Sequence, residues 1–229
     1  IATTFLPEMS SAINRKDKAA LIDRTSLGIR LIALVTIPAG FGLFVLRRPI
    51  IGAAFQHGNV TAEDALNTSR ALGGFALGLV GFSVYLFVLR VFYAHRDART
   101  PFVINCIENA INIALALVLV GRYGLLGLGI SFAVAYLVSS LLALQVASYK
   151  VPGFPVRSIL GALWRMTLAA VVMAEAVWVV ARLVGDNSGS GAVVRIVAGT
   201  VVGIVVYPAM LLALRAPELD ALRSRFLKR

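Results

Sequence analysis

Charge is scarce in this sequence. Of 229 residues only 14% are Asp, Glu, Lys or Arg, 59% are hydrophobic, and the mean hydropathy is +0.86. A water-soluble domain of this length carries charge over about a quarter to a third of its surface, so the composition excludes that class. Cysteine is nearly absent: Cys106 stands alone, which rules out an internal disulfide and a cysteine-rich metal site. The two histidines, His57 and His95, fall in separate loops and do not make a metal centre. There is no Ser-His-Asp set, no carboxylate pair at hydrolase spacing, no phosphate-cradling glycine loop and no HExxH, so the residues point away from enzymatic chemistry. The chain opens on Ile1 without a signal pattern. Ile1 to Pro7 reads as the tail of an earlier helix, so the sequence is expected to be part of a longer protein.

What is abundant is uninterrupted apolar sequence. Six runs of about 20 residues or more can be drawn at 29–47, 71–94, 101–121, 124–148, 158–183 and 192–214. Each is long enough to cross a hydrocarbon core roughly 30 Å thick. Lipid cannot satisfy backbone polar groups, and barrel strands would alternate over about ten residues, so these runs predict an all-α integral membrane protein. Basic residues sort by loop. Arg15, Lys16, Lys18, Arg24 and Arg30 precede the first run, and Arg90, Arg96 and Arg99 follow the second. Lys150, Arg157 and Arg165 flank the fourth connection, and Arg215, Arg223, Arg225, Lys228 and Arg229 end the chain. That places 16 of the 22 basic residues on one side, leaving Arg47, Arg48, Arg70, Arg122, Arg182 and Arg195 on the other. The positive-inside rule makes the first side cytoplasmic, with both termini there. The net charge of +11 therefore reports membrane topology, and no nucleic-acid partner is expected.

Local signals punctuate these runs. Thr100-Pro101 predicts an N-cap and first helical position. Thr61-Ala-Glu-Asp64 resembles a capping box and predicts a short outer helix ahead of the second run. Gly74/Gly78 and Gly199/Gly203 have the small-xxx-small spacing of close membrane helices. Pro38 and Pro208 are expected to kink their spans. In 217–229, Leu219, Leu222 and Phe226 share a face among basic residues. That segment is either an amphipathic helix on an anionic leaflet, a solvated basic stop, or a linker.

The polar residues inside the third run are the most informative. Asn105, Glu108, Asn109 and Asn112 fall within an arc of about 100° on a helical wheel, over two turns. A carboxylate in the hydrocarbon costs about 2.5–3.5 kcal/mol on insertion scales, so this stripe must face protein or a cavity. Two readings stand: an aqueous pathway that holds a monovalent cation, Na+ or H+, or interhelical hydrogen-bond glue with Glu108 wetted near the cytoplasmic end. Glu175, in the fifth run, lies seven residues before Arg182 with about 10 Å of rise between them. It reads either as a second buried carboxylate or as a snorkelling side chain on a peripheral helix. The segment from Arg90 to Pro101 gathers arginines, His95, Asp97 and two aromatics at a helix junction. It is suited to an Asp97–arginine contact between helix ends or to anionic headgroups.

That segment carries a resemblance. R-x-F-Y-A-x-x-D-x-R-T-P, formed by Arg90, Phe92, Tyr93, Asp97, Arg99, Thr100 and Pro101 with the intervening residues, resembles the signature of the MurJ/MviN family of lipid II flippases, within the MOP superfamily of exporters. F-L-P-E-M-S (5–10), I-P-A-G-F-G-L (37–43) with R-P-I (48–50), A-F-Q-H-G-N-V-T-A-E-D-A (54–65) and G-L-L-G-L-G-I-S (124–131) match it in order over about the first 150 residues.

The resemblance implies a fourteen-helix fold of which this chain is the last six helices. Residues 1–28 would be the end of a preceding helix and a cytoplasmic loop, 29–148 four helices of the C-terminal lobe, 158–214 an extra pair forming a groove for the isoprenoid tail, and 215–229 a basic cytoplasmic tail. It implies translocation of lipid-linked peptidoglycan precursor across the bacterial plasma membrane by alternating access, with the missing N-terminal lobe as partner and membrane potential or an ion gradient as drive. The family's cavity arginines of the first lobe are not in this sequence. Asn112 fits an asparagine of the family's sodium site, but Ala116 stands where its acid would be, and Glu108 one turn earlier is the nearest substitute. The Arg- and Ala/Val-rich style suits an actinobacterial member, in which a pseudokinase-like domain often follows. Two alternatives remain open: another MOP exporter, of polysaccharide precursor or drug, and a non-transporting scaffold that recruits cell-wall synthesis proteins.

Overall fold

The computed structural model describes residues 18–56 and 59–215. The expectations for the chain's opening stretch, for His57 and for the tail from 216 onward lie outside the described residues. Six helices follow in order: α1 Lys18–Phe55, α2 Ala62–Ala94, α3 Arg99–Tyr123, α4 Leu125–Lys150, α5 Val156–Leu183 and α6 Gly189–Ala213. All six are long and apolar enough to cross a membrane. They enclose the six apolar runs to within one residue, and several extend well beyond them.

Two of those extensions correct the local expectations. The capping box forms as predicted from Thr61, whose hydroxyl accepts from the Asp64 N–H (3.2 Å) while its own N–H donates to Asp64 Oδ2 (3.1 Å). It opens no separate outer helix, however. α2 runs unbroken from Ala62 because nothing between Asp64 and Ala71 interrupts it, and Thr68 and Ser69 return their hydroxyls to the helix's own carbonyls. α1 likewise continues through Arg48 and Pro49, beyond the first apolar run that the sequence ends at 47.

α2 is the central helix. One side lies along α4 and another along α1, α3 covers α4 from the far side, and α1's opposite face carries the α5–α6 pair. Two cores result, sharing α1: one around Phe87, Phe92, Ile104 and Leu144, the other around Ile37, Met166, Met173, Val177 and Leu211. The α2–α4 crossing depends on missing side chains. A Cβ on Gly74 would stand 2.5 Å from the Cα of Gly129, and one on Gly78 would stand 2.9 Å from the Cα of Ala133. Gly199 and Gly203 serve differently: the atoms nearest a Cβ there belong to the side chains of Leu46, Val177 and Met173. The outward faces stay apolar. Leu117 is 79% exposed, with Phe102, Ile204 and Leu212 close behind, a pattern suited to lipid as solvent.

Candidate functional site

The motif segment closes α2 and opens α3. Arg96 takes a left-handed conformation (φ 58°) just after α2. Its N–H donates to Tyr93 O (2.9 Å) and the next N–H, of Asp97, to Phe92 O (2.9 Å), the Schellman pattern with arginine where glycine is usual. Asp97 then caps α3. Its carboxylate accepts from the Thr100 N–H (3.0 Å) and hydroxyl (2.7 Å) from one residue ahead of the N-cap, which is Ala98 and not the expected Thr100, and the helix begins at Arg99. The cation on Asp97 is Lys150, the last residue of α4; it is not an arginine. The Lys150 ammonium, with the Thr100 N–H and hydroxyl, holds the Asp97 carboxyl well below the usual carboxylate range. Of the other motif residues, Phe92 and Pro101 are buried, Tyr93 and Arg99 are exposed, and Arg90 is partly buried with one guanidinium nitrogen lacking a hydrogen-bond partner among the described residues.

The polar stripe of α3 divides. Asn105 and Asn109 lie on the exposed flank, where the Asn109 amide donates to the carbonyl (2.9 Å) and side chain (3.1 Å) of Asn105. Asn112 is half-buried. Glu108 turns inward and is 2% exposed. Its neighbours follow from helix register. At one end of the α3–α4 hairpin, Gly127 abuts Leu119; at the other, Lys150 meets Asp97. That antiparallel register sets Ser139 level with Glu108. α2 and α4 run parallel, with Gly74 on Gly129, Gly78 on Ala133 and Gly81 on Leu137, which brings Tyr85 to the same level. The Tyr85 and Tyr136 rings lie 5.5 Å apart, edge to face.

Three helices thus place a carboxyl, a phenol and a hydroxyl at one depth. Glu108 Oε1, Tyr85 Oη and Ser139 Oγ are all buried without a hydrogen-bond partner among the described residues. Unsatisfied buried oxygens cost about 1–3 kcal/mol each, so three at one level mark this depth as the candidate polar site among the described residues. Glu175, by contrast, is exposed on α5, and Arg182 stacks over Trp178 (3.7 Å) and does not reach it.

A third feature is an apolar groove of about 570 Å³ between α1, α5 and α6. Pro38 and Pro208 both line it, and at Gly42, on the same wall, a Cβ would meet nothing within 4 Å. Tyr85, Ser139 and Lys150 are the residues that sequence reasoning missed. Each lies on a different helix from its partner, and only the register reveals them.

The comparisons with known proteins agree with one another. The family model described as Lipid II flippase MurJ matches residues 1–199. A probable lipid II flippase MurJ of Haemophilus influenzae is 31% identical over 185 residues, covering 78% of this chain and 36% of that protein. That of Rickettsia prowazekii is 31% identical over 134 residues, or 58% of this chain and 26% of the relative. A solved structure, a lipid II flippase MurJ in an inward closed conformation, has a TM-score of 0.73 at 24% identity, covering 93% of this chain and 43% of that one; this likeness is one of fold. The chain spans about a third of the length of the curated relatives it matches.

Proposed function

The chain belongs to the MurJ family of lipid II flippases, and from that premise we propose that it forms part of a flippase carrying lipid-linked peptidoglycan precursor across the bacterial inner membrane. The family match over most of the chain carries this reading. A large charged headgroup cannot enter hydrocarbon unaided, whereas its isoprenoid tail is at home there. A helix assembly that separates a polar interior from an apolar lateral groove suits such a substrate, and the α1–α5–α6 groove is the place for the tail. The exposed face of α3, with Asn105 and Asn109 among its apolar residues, is the surface on which the rest of the flippase would close in alternating access.

In this reading the Asp97–Lys150 end of the molecule faces the cytoplasm, in keeping with the basic residues at both loops there. Glu108, Tyr85 and Ser139 supply hard oxygen donors suited to a monovalent cation, Na+ or H+, whose uptake would couple transport to a gradient. No step of this scheme breaks a covalent bond.

Depletion and replacement test it. In a bacterium depleted of its own lipid II flippase, the full-length gene that encodes this chain should restore growth and deliver precursor to the outer face. Growth rescue without precursor delivery, or no rescue with the protein present in the membrane, would reject the reading.

A further inference from the structure

At the end of the helices opposite Asp97 and Lys150, a pocket of about 480 Å³ opens between α1, α5 and the α5–α6 loop. Its lining has two halves. Phe44 and Val45 of α1 and Trp178 and Ala181 of α5 belong to the apolar spans, while Arg47, Arg48, Arg182 and Arg195 supply the charge. No residue bordering the pocket is acidic, and none of the four arginines has an ion-pair partner among the described residues. Asp186, the acid of the loop, packs against Gly191 and does not border it.

The four arginines are not equivalent. Arg47 donates to Phe44 O and stacks over the Phe44 ring (4.5 Å), so it contributes charge more than free donors. Arg195 spends its guanidinium on the α5–α6 loop, donating to Val184 O (3.0 Å), to Asn187 Oδ1 (2.6 Å) and to Gly185 O. The braced loop lies directly on α1, where a Cβ on Gly52 would stand 1.8 Å from Asn187 O. With its Oδ1 engaged, Asn187 keeps its amide N–H groups as donors at the pocket wall. Arg182 stacks over Trp178 (3.7 Å), which orients it and leaves its edge N–H groups available. Arg48 is exposed at the rim.

Guanidinium and amide donors without a counter-charge suit the forked oxygens of a phosphate. The apolar half of the lining requires that the phosphate sit at the edge of hydrocarbon. Trp178, 46% exposed near the end of its span, marks that edge as tryptophan does at membrane interfaces. We propose that Arg48, Arg182 and Asn187 bind the phosphate of an anionic phospholipid, with Arg47 and Arg195 adding charge, in the leaflet opposite the Asp97–Lys150 end. The headgroup class follows from the missing acids. A zwitterionic lipid brings an ammonium beside its phosphate, and this pocket has four arginines to repel it and no carboxylate to receive it. The site stands apart from the α1–α5–α6 groove and does not depend on which lipid the protein translocates.

Trp178 is itself the reporter. The full-length protein, with Trp178 as its only tryptophan, is placed in mixed bilayers, and its fluorescence is quenched by phosphatidylglycerol or phosphatidylethanolamine with brominated chains. Phosphatidylglycerol should be preferred beside Trp178 by about fivefold or more. Arg48→Gln, at the exposed rim, should lower that preference about twofold without altering thermal unfolding, and Arg48→Gln/Arg182→Gln should bring it to parity. Arg96→Gln, exposed at the other end of the molecule, should leave it unchanged. Soluble glycerol 3-phosphate, added at constant ionic strength, should not relieve the quenching. Equal quenching by the two lipids in the parent protein overturns the proposal, as does a preference that survives the double substitution. Relief by glycerol 3-phosphate would give the pocket to a soluble phosphate ester and overturn the lipid assignment.

Discussion

Asp97, in the turn between α2 and α3, forms an ion pair with Lys150, the final residue of α4, 53 positions further along the chain. The same carboxylate caps α3 through Thr100, so one side chain joins the ends of three helices. Replacing it with asparagine keeps part of the cap and loses the ion pair. Because the folded protein holds this carboxyl below its ordinary value, its contribution is present at and above the ordinary aspartate value of about 4 and is lost only as pH falls well below that. Asp97→Asn should therefore lower the thermal midpoint by a constant amount from neutral pH down to about 4, and the gap to the parent should close in stronger acid. A gap that closes already between pH 6 and 5 would contradict this.

Arg96 occupies a position that favours glycine. With φ at 58° it bears the left-handed strain of the Schellman turn. Arg96→Gly should stabilise the protein by about 0.5–1 kcal/mol, the strain relieved exceeding the flexibility added to the unfolded chain. Denaturation in mild detergent measures it, and a loss of stability would mean that Arg96 holds something the turn geometry does not reveal.

The α2–α4 crossing should be intolerant of a single methyl group. A Cβ at position 74 would overlap Gly129, backbone on backbone, with no flexible side chain to give way. Gly74→Ala should cost about 1–3 kcal/mol. Gly161→Ala on α5, whose Cβ would meet nothing within 4 Å, should be neutral or slightly stabilising. Equal effects at the two sites would argue against this crossing.

Glu108→Leu should separate stability from function. Its unpartnered oxygen contributes little to holding the helices together, so Glu108→Leu should leave the unfolding midpoint unchanged or raise it, since an apolar replacement removes a buried unsatisfied group. The same substitution, and Glu108→Ala, should abolish the dependence of transport on the ion gradient without lowering expression. Destabilisation with gradient dependence intact would make Glu108 structural glue.

How far these features were legible in the sequence depended on their range. The six helices could be drawn because a run of 20 apolar residues needs no partner to be recognised. The reach of α1 past Arg47-Arg48-Pro49 could not, because arginines and proline at the end of an apolar run look the same whether the helix stops or emerges from the membrane still wound. The Thr61–Asp64 box was readable as chemistry, but its consequence depended on ten further residues staying helical. Glu108 was identifiable as an acid among asparagines, yet the wheel could not say that it turns inward while Asn105 and Asn109 turn outward, since that is decided by α4. Its companions Tyr85 and Ser139 come from other helices whose glycine-set register leaves no local mark. Lys150 was likewise read only as a topology signal, although it is the cation that Asp97 holds.

Direct flux tests most sharply whether the protein moves lipid-linked precursor. The full-length protein is reconstituted into liposomes that hold a labelled lipid-linked peptidoglycan precursor in one leaflet, an ion gradient is imposed, and the appearance of headgroups in the opposite leaflet is followed with a membrane-impermeant reagent. Gradient-dependent transfer is expected, and Glu108→Ala should uncouple it from the gradient. Transfer no faster than in protein-free liposomes, with the protein folded and inserted, would contradict it.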